Sequence, residues 1–125
     1  MSETITQEKA NVLLITWRRL LGLRDWHISL CFDASPWDMR LSDVDGEVDF
    51  EETVKTAAIR ILREDFCEDR IGPFNFEKTL IHELLHLKFC LLDNSGNALQ
   101  DRLVHQLIDD LARAFAAVSR GEVDT

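Results

Sequence analysis

Tyrosine is absent from this 125-residue chain, and its three cysteines form no Cys-x-x-Cys pair. Cys31, Cys67 and Cys90 are an odd number at irregular spacing, which excludes a disulfide framework and a thiolate zinc site; reduced, mostly buried thiols are expected. Basic charge is scarce too. Fourteen Lys and Arg stand against 23 Asp and Glu, a formal net charge of −9, which argues against affinity for nucleic acid or an anionic membrane. The one basic cluster, at Arg18, Arg19 and Arg24, reads as a solvated helix end. No uncharged apolar run approaches the roughly 18 residues of a membrane span. Met1-Ser2-Glu3-Thr4 has no basic segment leading into an apolar one, so the chain is expected to stay in the cytosol. With no repeat, low-complexity tract or linker, and with 46% hydrophobic residues, positions 1–125 are expected to form one domain.

Apolar periodicity marks the elements. Val12, Leu13, Ile15, Trp17, Leu20 and Leu21 predict a helix over the first 23 residues, stopped at Gly22. Trp26, Ile28, Leu30 and Phe32 alternate with His27, Ser29, Cys31 and Asp33, the pattern of a half-buried strand with His27 on the wet side. Asp45-Gly46 between Met39–Val44 and Glu47–Phe50 predicts a two-residue hairpin. Thr53–Leu62 predicts a further strand, with Arg60 on the face opposite Val54, Ala57, Ile59 and Ile61, and Arg63 to Gly72 a polar loop. From Phe76 to Leu92 a helix capped by Asn75 is apolar on nearly every side, which predicts a buried, central position. After the turn cluster Asp93–Asn97, a last helix from Ala98 to Val118 offers a core stripe of Val104, Leu107, Ile108, Leu111, Phe115 and Val118. Together these elements predict an α+β architecture: an N-terminal helix, a small antiparallel sheet of about three to four strands, a central helix and a C-terminal helix.

The central helix carries His82-Glu83-Leu84-Leu85-His86, an HExxH pentapeptide. Residues four apart share a helix face with Cβ atoms about 5 to 6 Å apart, so both imidazoles can close on one zinc ion. Glu83 lies round the helix from both, where it can take the proton of a metal-activated water without ligating the metal. The competing interpretation is a pair of core histidines with a salt-bridged Glu83. An unpaired buried carboxylate costs several kcal/mol, and one metal ion satisfies all three residues at once.

A catalytic zinc needs a third protein ligand. Phe89 and Leu92 occupy the positions where HExxHxxGxxH would place it, so the ligand comes from further on. His105, the only later histidine, lies on the flank of the last helix with Asp101, Ala112 and Ala116, and the alanines permit close helix approach. Asp109, one turn on, is placed to accept a hydrogen bond from a ligand imidazole. Asp109 or Asp101 directly on the metal are the alternatives. Cys90, one turn past His86, can line the site or pack as a small hydrophobe.

A His-Glu-x-x-His helix followed by a second helix with the third ligand resembles the gluzincin clan of zinc metallopeptidases, and the small size resembles the minigluzincins. LGLRDWHISL at 21–30, TAAIRI at 56–61, LIHELLHL at 80–87 and HQLIDDLARAF at 105–115 are also similar to small metallopeptidase-like proteins of bacteria and their phages. In the gluzincin pattern the third ligand is a Glu with an Asp four residues later; here the pair is His105 and Asp109, a His in the Glu position. A three-His site also resembles the Spartan and SprT proteases, whose HGxxF-like segment is missing here. The resemblance implies a zincin-like fold, zinc on His82, His86 and His105, Glu83 as general base, Asp109 behind a ligand, and a peptide or protein substrate. It also implies that a sheet-edge strand, assigned to Thr56–Ile61, binds extended substrate by strand addition. No tyrosine is present to assist an oxyanion, and neither His27 nor Arg60 is assigned that role. The rival from another class is a non-catalytic zinc-binding or protein-interaction protein on the same scaffold.

Overall fold

The computed structural model describes residues 5–67, 74–92 and 96–121. The elements are α1 (Gln7–Leu20), β1 (His27–Ala34), β2 (Gly46–Glu51), β3 (Thr56–Leu62), a 3-10 turn (Glu64–Cys67), α2 (Phe76–Lys88) and α3 (Ala98–Ser119), an α+β arrangement. Residues 1–4, the loop from 68 to 72 with Pro73, positions 93–95 of the turn cluster and the tail from 122 lie outside the described residues. No described helix is long and apolar enough to cross a membrane. The three cysteines are free thiols, Cys67 buried and the others half-buried.

The sheet is mixed, where an antiparallel one was expected. Its order is β1-β3-β2, with β2 antiparallel to β3 and β1 parallel to it, His27 level with Thr56 and Leu30 with Ile59. A parallel pair needs a long crossover, and residues 35–55 supply it by placing β2 on the far edge before the chain returns as the central strand. The hairpin turn is therefore at 52–55, where Lys55 adopts a φ of 49°, and not at Asp45-Gly46. Met39–Val44 forms no strand because the backbone N–H groups of Arg40 and Leu41 donate to the Glu47 carboxylate, at 2.9 to 3.0 Å. Glu47, though 4% exposed, also accepts from Arg60 Nε at 2.8 Å, and Arg60 reaches Asp49 in turn. Two backbone N–H groups and two nitrogens of the Arg60 guanidinium, Nε and Nη2, make this buried carboxylate tolerable.

Asn75 caps α2, its side chain accepting from the Lys78 N–H at 3.1 Å. Phe76, Leu80, Ile81, Glu83, Leu84, Leu85 and Leu87 are all buried, because α2 lies between β2 and β3 on one side and α3 on the other, with α1 alongside. The Glu77 carboxylate ties three helices at that end, accepting from Trp17 Nε1 and Ser119 Oγ, each at 2.8 Å, while Trp17 stacks on Phe115. The helix stops at Lys88, four residues short of the expected end, so Cys90 is not on its ligand face and packs against the core instead.

Two helices are turned from their expected faces. On α1, Ala10 and Trp17 are buried while Val12, Ile15 and Leu20 are exposed. On α3 the buried stripe is Val104, Ile108, Ala112 and Ala116, whereas Leu107 is 44% and Val118 70% exposed. Small side chains let α3 approach α2 more closely than leucine or phenylalanine would, and the rotation, roughly half a residue step, brings the His105 and Asp109 flank toward α2.

Gly46 marks the tightest strand-to-helix approach. A Cβ there would lie 2.7 Å from Thr79 Cγ2 and 3.4 Å from Glu83 Oε2, so Gly46 is needed for close packing, not for a turn. We predict that Gly46→Ala destabilises the protein by about 1 to 3 kcal/mol, an overpacking cost, and that adding Thr79→Ser, which removes the clashing methyl, recovers most of it. Denaturant unfolding of the two single variants and the double variant measures this; strictly additive effects would show that the methyl is not the obstacle.

Candidate metal centre

Helical spacing puts His82 and His86 one turn apart on α2, their ring centroids 5.0 Å from each other. The rotation of α3 brings His105 in from the neighbouring helix, its ring 5.2 Å from that of His86 in an edge-on arrangement. Zinc–nitrogen bonds of about 2.0 to 2.1 Å at tetrahedral angles place the centroids of two ligand imidazoles roughly 5 Å apart, so both spacings suit a shared ion. Asp109 Oδ1 lies 3.3 Å from His82 Nδ1, within ion-pair distance, and Asp109 is itself 3.9 Å from Arg113. Asp101 is half-buried one turn before His105.

Ring positions and donor directions differ in how they are set. The backbone together with χ1 sets the first, and the His82–His86 and His86–His105 spacings fit. Side-chain torsions fix the second, and as they stand no three His, Cys, Asp or Glu side chains among the described residues are arranged to hold one metal ion. Closing the site calls for rotation of the imidazoles about their side-chain torsions within a backbone frame of the right size.

The electrostatics favour neutral histidine at the first position. Burial holds the His82 pKa below its ordinary value; His86, His105 and Lys78 push the same way, and Asp109 opposes them. A neutral imidazole is the form that binds metal. Glu83 is the unusual group. It is 6% exposed, no described residue hydrogen-bonds to its carboxyl, and burial together with the nearby Glu47 carboxylate raises its pKa to about 8. Glu47 is the opposite case: burial works against its ionisation, but the N–H groups of Leu41 and Arg40 and the Arg60 guanidinium hold it below the usual range.

Gly46 and Glu47 are the functional neighbours that the sequence pattern missed. Both lie more than 35 positions before Glu83, and only the β2–β3 register brings them to the motif helix. Arg60 and His27 are not at the site. Arg60 is engaged by Glu47 and Asp49 on the sheet face away from α2, and His27 is exposed on the opposite edge strand, level with Thr56.

The raised Glu83 pKa has a consequence for stability. An acid whose folded pKa exceeds its unfolded value near 4.5 favours the fold while protonated, so stability is fully present below about pH 4.5 and falls as pH rises toward about 8. We predict that, with chelator present, Glu83→Gln is more stable than the parent protein at pH 8 by a few kcal/mol, and that the difference closes toward pH 4.5. Urea unfolding at several pH values measures it; a constant difference would mean that the carboxyl is not held out of water.

The chain matches no protein-family model, and no curated protein or solved structure is significantly similar to it, so its chemistry must be read from its own residues.

Proposed function

We propose that this protein is a zinc-dependent peptidase on a zincin-like scaffold. The observation that carries the reading is the placement of two imidazole pairs, His82–His86 and His86–His105, at ligand-pair spacing on the helix that also holds a buried carboxyl to which no described residue donates. His82, His86 and His105 would hold the metal. When bound, zinc supplies Lewis acidity toward a scissile carbonyl and a water whose pKa falls to about 7.

The remaining work belongs to the chain. Glu83 takes a proton from the attacking water and passes it to the leaving amine, and no described residue donates to its oxygens. Asp109 beside His82 Nδ1 favours the tautomer that leaves Nε2 as the donor atom, and orients the ring. Substrate needs a strand edge, and here the expectation is corrected: Thr56–Ile61 lies in β3, the central strand, paired on both sides. The edge strand packed against α2 is β2, whose outward N–H and C=O groups receive no backbone hydrogen bond among the described residues. An extended peptide added to β2 runs alongside Glu83.

One observation favours the second reading, a non-catalytic interaction protein on the same scaffold: the donor atoms do not converge as they stand. Zinc stoichiometry together with peptide cleavage separates the two. We predict one zinc per chain, lost in His82→Ala and His105→Ala, with Asp109→Ala weakening binding by about 10- to 100-fold. Glu83→Gln is expected to keep its zinc and lose peptide cleavage. Full-affinity zinc in His105→Ala would remove His105 from the ligand set, and equal cleavage by Glu83→Gln would remove the general base.

A further inference from the structure

The register of the sheet leaves one acid on the substrate edge without a counter-charge among the described residues. On the face away from α2, β2 presents Glu47, Asp49 and Glu51 in a row. Glu47 stands opposite Arg60 and is bonded by it. Asp49 is reached by Arg60 and, at 2.8 Å, by Arg40, whose side chain is 72% exposed. Glu51 stands opposite Thr56, whose hydroxyl donates to Val54 O, and the nearest lysine of the turn, Lys55, pairs with Asp25. Exposed Glu51 thus ends the row with no ion-pair partner among the described residues, and exposed Glu52 lies beside it.

An acidic residue on a surface is ordinarily solvated and carries no message. Here it lies on the unpaired edge of β2, and that edge begins at Gly46, where the buried Glu83 carboxyl, without a described hydrogen-bond partner, comes up against the strand. The open backbone groups of this edge call for an occupant along the strand. We propose that β2 selects extended peptides carrying a basic side chain at the position that comes level with Glu51. The inference rests on the peptidase reading for cleavage, and on the sheet register for selectivity.

A strand added to β2 alternates its side chains, and those on the outer face come level with Glu47, Asp49 and Glu51 in turn. Level with Glu47 the acid is buried and saturated. Level with Asp49 the exposed Arg40 guanidinium repels a second cation. Among the described residues of this row only Glu51 offers negative charge without a paired cation, so the preference is confined to one residue of the substrate and is not a general taste for basic peptides. The overall charge of −9 draws cations to the molecule without distinguishing these positions.

The test uses zinc-loaded protein and short uncharged host peptides carrying a single Lys, Gln or Glu at successive positions. At one position the Lys peptide is expected to exceed the Glu peptide in kcat/KM by about three- to tenfold, less at high salt, with little discrimination elsewhere. Glu51→Lys reverses the order at that position, and Glu8→Lys on α1, which changes net charge equally, leaves it in place. A flat panel, or an order unchanged in Glu51→Lys, overturns the proposal and leaves the peptidase reading standing. If no peptide is cleaved, the peptidase reading falls, and anisotropy binding of the same labelled peptides decides the edge separately. A Lys preference that Glu51→Lys reverses supports it, and its lack overturns it.

Discussion

A carboxyl almost wholly removed from water, with no hydrogen-bond donor among its described neighbours, is the constraint on which this structure turns. Such a group costs the fold free energy at neutral pH unless something charged or protonic comes to it. Its position is enforced from two sides. α2 is buried nearly all round, so Glu83 has no solvent face to choose, and β2 closes over it at Gly46 with no side chain intervening. Glu47, held ionised by Arg60 and two backbone N–H groups on the other sheet face, adds negative charge nearby. Stability alone does not call for this arrangement; a glutamine or a leucine in its place would satisfy the core better.

The same packing that isolates Glu83 assembles its neighbours. Ala112 and Ala116 let α3 settle close against α2, and the resulting rotation exposes Leu107 and Val118 while carrying His105 toward His86. Apolar area is given up on one flank of α3 so that two polar residues, His105 and Asp109, meet the motif helix. The sheet makes a parallel choice. By placing β3 in the centre, it leaves β2 as an open edge next to α2, and while Glu47 and Asp49 pair with Arg60 and Arg40, Glu51 has no ion-pair partner among the described residues.

Periodicity and punctuation were enough to read several elements in advance. The half-buried strand beginning near Trp26, the capped helix after Asn75 and the long last helix after Asn97 lie where the pattern places them, because capping side chains and apolar spacing act within a few residues. The errors share a cause as well. Asp45-Gly46 has the composition of a turn, yet the turn is at 52–55, since a carboxylate seven residues after Arg40 captures the backbone that a hairpin would have used. Thr56–Ile61 has the composition of any strand, and nothing within it says whether it is central or at an edge. On α1 and α3 the hydrophobic pattern admits more than one face, and the partner's surface selects among them.

The sequence by itself determined the chemistry on offer: two histidines and a glutamate on one buried helix, a third histidine with an aspartate four residues later on another, and an acidic surface. These follow from helical geometry, which is local and nearly independent of context. Tertiary structure alone decided which of these groups meet, how α3 is turned, which strand edge is open, and which acids on that edge are paired with arginine. Those are matters of register and close packing, set by steric fit between segments far apart in the chain, and the residues that settle them, Gly46, Glu47, Ala112 and Ala116, carry no mark of that role in the sequence.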